Sequence, residues 1–244
     1  MGVAMAALAL VVASAGAFIG GFVPAWTPQG TRMILHDPLA RIGDFPLHLE
    51  PGAKIHLFGD SNMRGNRLNQ GESAIGTWLQ QALGASVEVE NFAIGGNTGP
   101  AERARTRRTV DSGDIVVLMF GTNDADLRGP LSSRQAISLD RFAGALVELA
   151  NGYRANGAQV IVMAALPTGS HAMERRLAPY RAESRQVAVE SGALFLDPVE
   201  AFADTPADRA LLGFDALHMQ ANGHEVLGNW LSEQFAIREA MPPG

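Results

Sequence analysis

The chain has 244 residues, of which 47% are hydrophobic, so it is long enough and apolar enough to bury a full core. Its formal charge of −6 argues against nucleic acid as a partner, because phosphate binding requires clustered Lys and Arg side chains. The lack of cysteine excludes disulfides, thiolate chemistry and cysteine-ligated metals.

The first segment, residues 1–26, differs in composition from the remainder. Val3 to Val23 contains no charged residue, and its length suits a membrane-spanning helix, which requires roughly 20 apolar residues. A shorter apolar stretch that ends in small residues such as Ala13-Ser14-Ala15 fits a signal peptide as well. We therefore expect an exported protein that is periplasmic, secreted or membrane-anchored. A cleaved signal peptide and a membrane association through residues 3–23 both stay open.

Residues 27–50 contain several prolines and little periodicity, which predicts a tether lying outside or against a globular domain at residues 51–240. Within that domain, strand patterns alternate with helical patterns. Five short apolar runs predict strands: Lys54–Phe58, Val87–Asn91, Ile115–Phe120, Gln159–Ala164 and Leu194–Leu196. Helical spacing predicts five helices: Ala74–Leu83, Pro100–Val110, Ala136–Asn156, Arg175–Ser191 and Asn222–Ile237. This alternation predicts an α/β fold whose mostly parallel sheet is covered on both faces.

Small and amide-bearing residues follow the first three predicted strands. These segments are Gly59-Asp60-Ser61, Ile94-Gly95-Gly96-Asn97-Thr98 and Gly121-Thr122-Asn123-Asp124. In open parallel sheets the ligand site lies beyond the carboxyl ends of the strands, so these segments are expected to converge. Near the end of the chain, Asp215 and His218 stand three residues apart before the last helix, where both can face the same way. Each motif alone is weakly specific, and their combination carries the interpretation.

With these motifs the chain resembles the SGNH hydrolases, also called the GDSL esterase/lipase family, over residues 54 to 238. Ser61 matches the serine of the first block and Gly96 the glycine of the second, although the adjacent Gly95 is an alternative. Asn123 matches the asparagine of the third block. The final Asp-x-x-His of the family matches Asp215 and His218, and the departures are Asn62 in place of Leu and Met219-Gln220 where Pro is common.

The resemblance implies a flavodoxin-like three-layer sandwich with a five-stranded, mostly parallel sheet and a serine esterase chemistry. Ser61 is the expected nucleophile, His218 its base and Asp215 the group that orients the imidazole. The implied oxyanion donors are the backbone NH groups of Ser61 and Gly96 and the side-chain amide of Asn123. No metal and no cofactor are required. The expected substrate is a small-molecule, glycan or lipid ester, with a preference for a short acyl or O-acetyl group.

Other polar residues near these motifs are given simpler roles. Asp60 and Asp124 are expected to accept backbone hydrogen bonds. Arg64 and Arg67 are interpreted as solvated loop residues, although they could meet an anionic substrate. His224 is interpreted as a packing or helix-surface residue.

Two other functions stay open on the same scaffold. One is an O-acyltransferase that hands the acyl group to a glycan hydroxyl, and the other is a non-catalytic binding module. The sequence has no Gly-x-Ser-x-Gly elbow, no P-loop and no His-Glu-x-x-His zinc motif, which disfavours an α/β-hydrolase, a nucleotide enzyme and a zinc hydrolase. The oligomeric state is not indicated.

Overall fold

The computed structural model describes residues 26–27, 29–105, 109–126, 136–206 and 209–238. The strands within these residues are β1 Trp26–Thr27, β2 Gly30–Thr31, β3 Leu47–Leu49, β4 Lys54–Gly59, β5 Glu88–Asn91, β6 Ile115–Met119, β7 Gln159–Met163, β8 Leu194–Leu196 and β9 Phe235–Ile237. The α-helices within them are α1 Ser61–Arg64, α2 Ile75–Leu83, α3 Gly99–Arg103, α4 Thr122–Ala125, α5 Leu139–Ala155, α6 His171–Ser191 and α7 Ala221–Ser232.

The central sheet contains five parallel strands in the order β5-β4-β6-β7-β8. These are the five predicted strands, and no end differs from the prediction by more than one residue. The order reverses between β4 and β6, which is where a doubly wound sheet leaves a crevice at the carboxyl ends of its strands. The predicted α/β class and three-layer sandwich are confirmed.

Helices cover both faces of the sheet, which explains why its central strand β6 is apolar throughout. Alternate residues of β4 and β6 contact α2 and α7 on one face, with Leu57, Val117 and Leu227 fully buried there. The intervening residues face α5 and α6, with Phe58 and Leu146 buried on that side. A strand buried on both faces cannot show a polar alternation, so its sequence is a continuous apolar run.

The helix predictions were right in the middle of the domain and wrong at its carboxyl end. The predicted helix Asn222–Ile237 is two elements, because α7 ends at Ser232 and β9 follows it. Strand β9 pairs in parallel with β3, so the last three residues of the predicted helix belong to a second, two-stranded sheet. In the region of the predicted helix Pro100–Val110 the structure contains the short helix α3, which ends at Arg103. Residues 106–108 lie outside the described residues.

Residues 29–50 follow the surface of the domain and make backbone hydrogen bonds with it. Thr31 and Leu212 exchange two such bonds, of 2.8 and 3.0 Å. Further along, Ile42 and Phe195 exchange another two, of 3.2 and 2.9 Å, so this segment covers the free edge of β8. Pairing of this kind satisfies the exposed backbone of an edge strand.

No helix in the described parts of the chain is long and apolar enough to cross a membrane. Residues 3–23, on which the membrane prediction depends, lie outside those parts.

Candidate active site

The candidate nucleophile lies in a tight turn between β4 and α1. Asp60 caps α1 because its Oδ1 accepts a hydrogen bond of 2.9 Å from the backbone NH of Asn62. Gly59 permits the turn, since a Cβ atom there would lie 2.8 Å from the carbonyl oxygen of Met119 on β6. Ser61 is thereby the first residue of a helix, where its backbone NH has no partner within that helix. Its side chain is buried at the carboxyl edge of the sheet.

The loop that carries Asp215 and His218 is held by a short antiparallel pairing of Leu212 with Met219. Inside it, the NH of Gly213 donates to the carbonyl oxygen of His218 over 2.8 Å. Asp215 Oδ1 accepts the backbone NH of His218 at 3.0 Å and that of the residue before it at 3.1 Å. These backbone hydrogen bonds therefore hold the Asp215 carboxylate within hydrogen-bond distance of the His218 ring.

The structure brings Ser61, His218 and Asp215 together in one chain of hydrogen-bonded side chains. His218 Nε2 lies 2.9 Å from Ser61 Oγ, and His218 Nδ1 lies 2.7 Å from Asp215 Oδ2. Burial alone would raise the pKa of Asp215, but hydrogen bonds from the His218 ring and from the backbone NH groups of His218 and Leu217 hold that pKa well below its usual range. Asp215 is therefore an anion throughout the neutral range, and it favours the tautomer with the proton on Nδ1.

Asn123 stands beside this chain in α4, which follows β6. Its Nδ2 is buried and has no hydrogen-bond partner among the described residues. A buried donor without a partner is costly, and this one stands at the carboxyl edge of the sheet, where ligands of doubly wound folds bind. The amide suits an acceptor oxygen supplied by a substrate.

The two glycines of the second motif have different surroundings. Gly96 has a φ of +77°, in a turn closed by a hydrogen bond of 3.1 Å from the NH of Asn97 to the carbonyl oxygen of Ile94. A positive φ at this position of a turn favours glycine. At Gly95 a Cβ atom would lie 2.3 Å from Asn66 Nδ2, so a side chain there would require the amide of Asn66 to move.

The buried carboxyl groups of Asp60 and Asp124 hold the loops after β4 and β6, and both accept backbone hydrogen bonds as expected. Asp124 accepts the NH groups of Gly99 and Gly121 at 3.1 and 3.2 Å. Burial raises the pKa of Asp124 to about 7, and the nearby charge of Asp60 adds to this effect. Burial also raises the pKa of Asp60, against the opposing hydrogen bonds from Asn62 and Thr122. The pair connects the loop after β4 with the loop after β6.

Sequence reasoning missed two contacts of the Asp215 loop. The side chain of Asn62 donates from Nδ2 to the carbonyl oxygen of Leu217 at 3.2 Å and accepts the NH of Met219 at Oδ1 at 3.0 Å. Arg67, interpreted as a solvated loop residue, places Nη1 3.0 Å from Asp215 Oδ2. The replacement of the signature leucine by Asn62 was the only sequence signal for either contact.

A cleft of about 470 Å³ opens beside the imidazole of His218. Phe214 forms part of its wall with 63% of its surface exposed, and several of the other lining residues are polar: Asn69, Glu72, Gln220 and Asn222. Within the described residues there is no group of three or more His, Asp or Glu side chains that could hold a metal ion. Asp215 and His218 line the cleft, whereas Ser61, Gly96 and Asn123 do not, and its wall has one aromatic surface among hydrogen-bonding groups.

The GDSL-like Lipase/Acylhydrolase family matches residues 57–226, which is most of the chain and includes every motif described above. The chain belongs to this family. As a GDSL-like acylhydrolase, it is a hydrolase that acts on ester bonds.

Solved structures share the fold of this chain, whereas no curated protein matches the sequence. The acetylxylan esterase Axe2 from Geobacillus stearothermophilus is 24% identical, with a TM-score of 0.65, over 79% of this chain and 99% of Axe2. LAE5, an alpha/beta hydrolase from the metagenome of Lake Arreo in Spain, is 24% identical, with a TM-score of 0.63, over 76% of this chain and 96% of LAE5. Three of the Axe2 structures are of catalytic mutants in which a serine, an aspartate or a histidine is replaced by alanine.

Proposed function

We propose that this GDSL-family hydrolase cleaves short acyl or O-acetyl esters through an acyl-enzyme on Ser61. The observation that carries the proposal is the chain of contacts from Ser61 Oγ to His218 Nε2 at 2.9 Å and from His218 Nδ1 to Asp215 Oδ2 at 2.7 Å. A hydroxyl is a poor nucleophile until a neighbouring base accepts its proton, and this arrangement supplies the base and its orienting carboxylate. The catalytic serine, aspartate and histidine of Axe2 are consistent with the same three roles.

In the first half-reaction Ser61 Oγ attacks the carbonyl carbon of the ester while its proton passes to His218 Nε2. The resulting imidazolium is stabilised by Asp215, which is ionised throughout the neutral range. Collapse of the tetrahedral intermediate breaks the bond to the alcohol oxygen, and that oxygen takes the proton from His218. The acyl group is left on Ser61, and the alcohol departs.

In the second half-reaction water replaces the alcohol. His218 accepts a proton from the water, the hydroxide attacks the acyl carbon, and the proton then returns to Ser61 Oγ as the carboxylic acid leaves. Each tetrahedral intermediate carries a negative oxygen. We assign its donors to the backbone NH groups of Ser61 and Gly96 and to Asn123 Nδ2, whose burial without a partner supports this role.

The cleft beside His218 suits the polar alcohol part of an ester, and we place that part of the substrate there. Phe214 offers an apolar face, and the surrounding amide and carboxylate groups suit the hydroxyls of a sugar. A long acyl chain would instead require a continuous apolar lining. An acetylated glycan is therefore the substrate that we propose, and the acetylxylan esterase activity of Axe2 accords with it. Export, predicted from residues 3–23, would bring the protein to such a substrate.

The proposal is tested with esters of increasing acyl length and with an acetylated methyl glycoside. Wild type is compared with Ser61→Ala and with Ser86→Ala, a control at an exposed serine remote from the site. We expect Ser61→Ala to abolish turnover and Ser86→Ala to retain it, with p-nitrophenyl acetate cleaved faster than the octanoate. Persistent turnover in Ser61→Ala would contradict the role of Ser61. Transfer of the acyl group to an added sugar, with no free acid formed, would support the acyltransferase instead.

A further inference from the structure

The side chain of Asn62 forms a bracket around the candidate catalytic His218, by which we mean two hydrogen bonds to the backbone on either side of that residue. Asn62 directly follows Ser61, and its amide bonds the carbonyl oxygen of Leu217 at 3.2 Å and the NH of Met219 at 3.0 Å. These two groups belong to the residues immediately before and after His218. Because Asn62 is only 2% exposed, the bonds are shielded from competing water.

The two hydrogen bonds of Asn62 join the two elements that carry Ser61 and His218. Ser61 and His218 lie on different elements, α1 and the loop before α7, so their contact of 2.9 Å depends on how those elements are held together. The bracket joins the two elements within one residue of each reacting side chain. It therefore fixes the backbone of His218 relative to the backbone of Ser61.

We infer that Asn62 is a positioning residue that sets the distance between Ser61 Oγ and His218 Nε2. It touches neither the ester nor the transferred proton, and it acts through the backbone on either side of His218. This inference rests on the proposed function, because positioning matters only if His218 accepts the proton of Ser61. A displacement of about 1 Å between reacting groups can lower a rate on the order of 100-fold.

The chain contains a matched control in Gln80. Its Nε2 donates to the carbonyl oxygen of Val87 at 2.9 Å, and its Oε1 accepts the NH of Val89 at 2.8 Å. This is the same bracket, around a residue at the start of β5 near the amino edge of the sheet. Gln80→Leu and Asn62→Leu therefore both remove a donor to a carbonyl oxygen and an acceptor of a backbone NH, although Gln80 is less buried and also donates to the carbonyl oxygen of Gly84 at 2.7 Å.

The test compares these two variants in the full-length protein, with wild type and Ser61→Ala measured in parallel. On p-nitrophenyl acetate we expect Asn62→Leu to lower kcat on the order of 100-fold with KM nearly unchanged. Gln80→Leu should keep the wild-type kcat. In a His218→Ala background, Asn62→Leu should have no further effect on the residual rate, because its effect is exerted through His218.

Hydrogen exchange gives a second readout that does not depend on turnover. Asn62→Leu should speed the exchange of the peptide containing Met219, whose NH loses its acceptor, and Gln80→Leu should not. If Asn62→Leu does not fold, Asn62→Asp serves instead, because it keeps the size and the acceptor but loses the NH₂ donor, and it should lower kcat in the same way.

Three results would overturn the inference: a wild-type kcat in the folded Asn62 variant, equal losses of kcat in both leucine variants, or unchanged exchange of the Met219 peptide in Asn62→Leu. Failure of the proposed function is recognised separately. It would appear as no turnover by wild type or as full turnover by Ser61→Ala, and the exchange measurement would still decide whether Asn62 holds the loop.

Discussion

His224 should lower the stability of the folded protein in mild acid, because it is buried without a hydrogen-bond partner among the described residues. This side chain lies in the first turn of α7 with 0% of its surface exposed, and neither ring nitrogen has a hydrogen-bond partner among the described residues. Burial is the largest cause and lowers the pKa of His224 from 6.5 to about 4, and the nearby His218 acts in the same direction while Glu72 opposes it. The folded protein thus holds this imidazole neutral where the unfolded chain would protonate it.

The sign of the effect follows from proton linkage. Between about pH 6.5 and pH 4 the unfolded state binds more protons at this position than the folded state, so lowering the pH favours unfolding. The contribution of His224 is fully present above that window. Its loss amounts to about 2 kcal/mol at pH 5 and about 3 kcal/mol below pH 4, from about 1.4 kcal/mol per pKa unit. At pH 5 the contribution of His224 taken by itself corresponds to a difference in Tm of roughly 4–8 °C.

The assay is urea unfolding of wild type and His224→Leu at pH 7 and pH 5. Leucine fills a similar volume and cannot titrate, so the variant should lose about 2 kcal/mol less than wild type between the two pH values. Asp124, whose raised pKa of about 7 acts in the opposite direction, is present in both proteins and cancels from the comparison. An equal loss of stability in both proteins would refute the reasoning, because His224 would then not be the group that titrates.

Two further predictions concern the reaction and the amino-terminal segment. Asn123→Ala should lower kcat for p-nitrophenyl acetate by about 100- to 1,000-fold with little change in KM, because the unpartnered amide of Asn123 is assigned to the oxyanion. If steady-state kinetics showed a change in KM alone, Asn123 would not have that role. The second change is the deletion of residues 1–36, compared with the deletion of residues 1–28. The longer deletion removes the two hydrogen bonds between Thr31 and Leu212, which support the Asp215 loop and contribute about 1 kcal/mol each. We therefore expect a Tm lower by roughly 4–8 °C and a lower kcat. Equal Tm and kcat for the two truncated proteins would show that the segment does not support the loop.

The middle of the central sheet could be predicted from the sequence because strand β6 is buried on both faces. Residues such as Val117 and Leu118 face opposite layers of helices, so the run from Ile115 to Met119 has to be apolar at every position. The same logic located the site, since parallel strands bring the residues after β4 and β6 to one edge. The distance between Ser61 and His218, by contrast, depends on tertiary packing that no local pattern encodes.

The features that were missed all depend on partners far away in the chain. Strand β9 looked like a continuation of α7 because Phe235 and Ile237 also suit a helical stripe, and only their pairing with β3 makes them a strand. The contact of Arg67 with Asp215 likewise depends on a loop whose conformation, with a φ of +68° at Arg67, has no local sequence signal. The residue types at Asn62 and His224 were visible, but their burial was not.

The central claim is that Ser61 carries the acyl group between the two half-reactions. Wild type, His218→Ala and Ser61→Ala would be mixed with p-nitrophenyl acetate, quenched in acid within milliseconds to seconds, and digested for peptide mass spectrometry. We expect one acetyl group on Ser61 in wild type, formed in a burst before steady-state turnover, little acetylation in His218→Ala, and none at this position in Ser61→Ala. Rapid turnover by wild type with no acetyl group on Ser61, or with the group on another residue, would contradict the account.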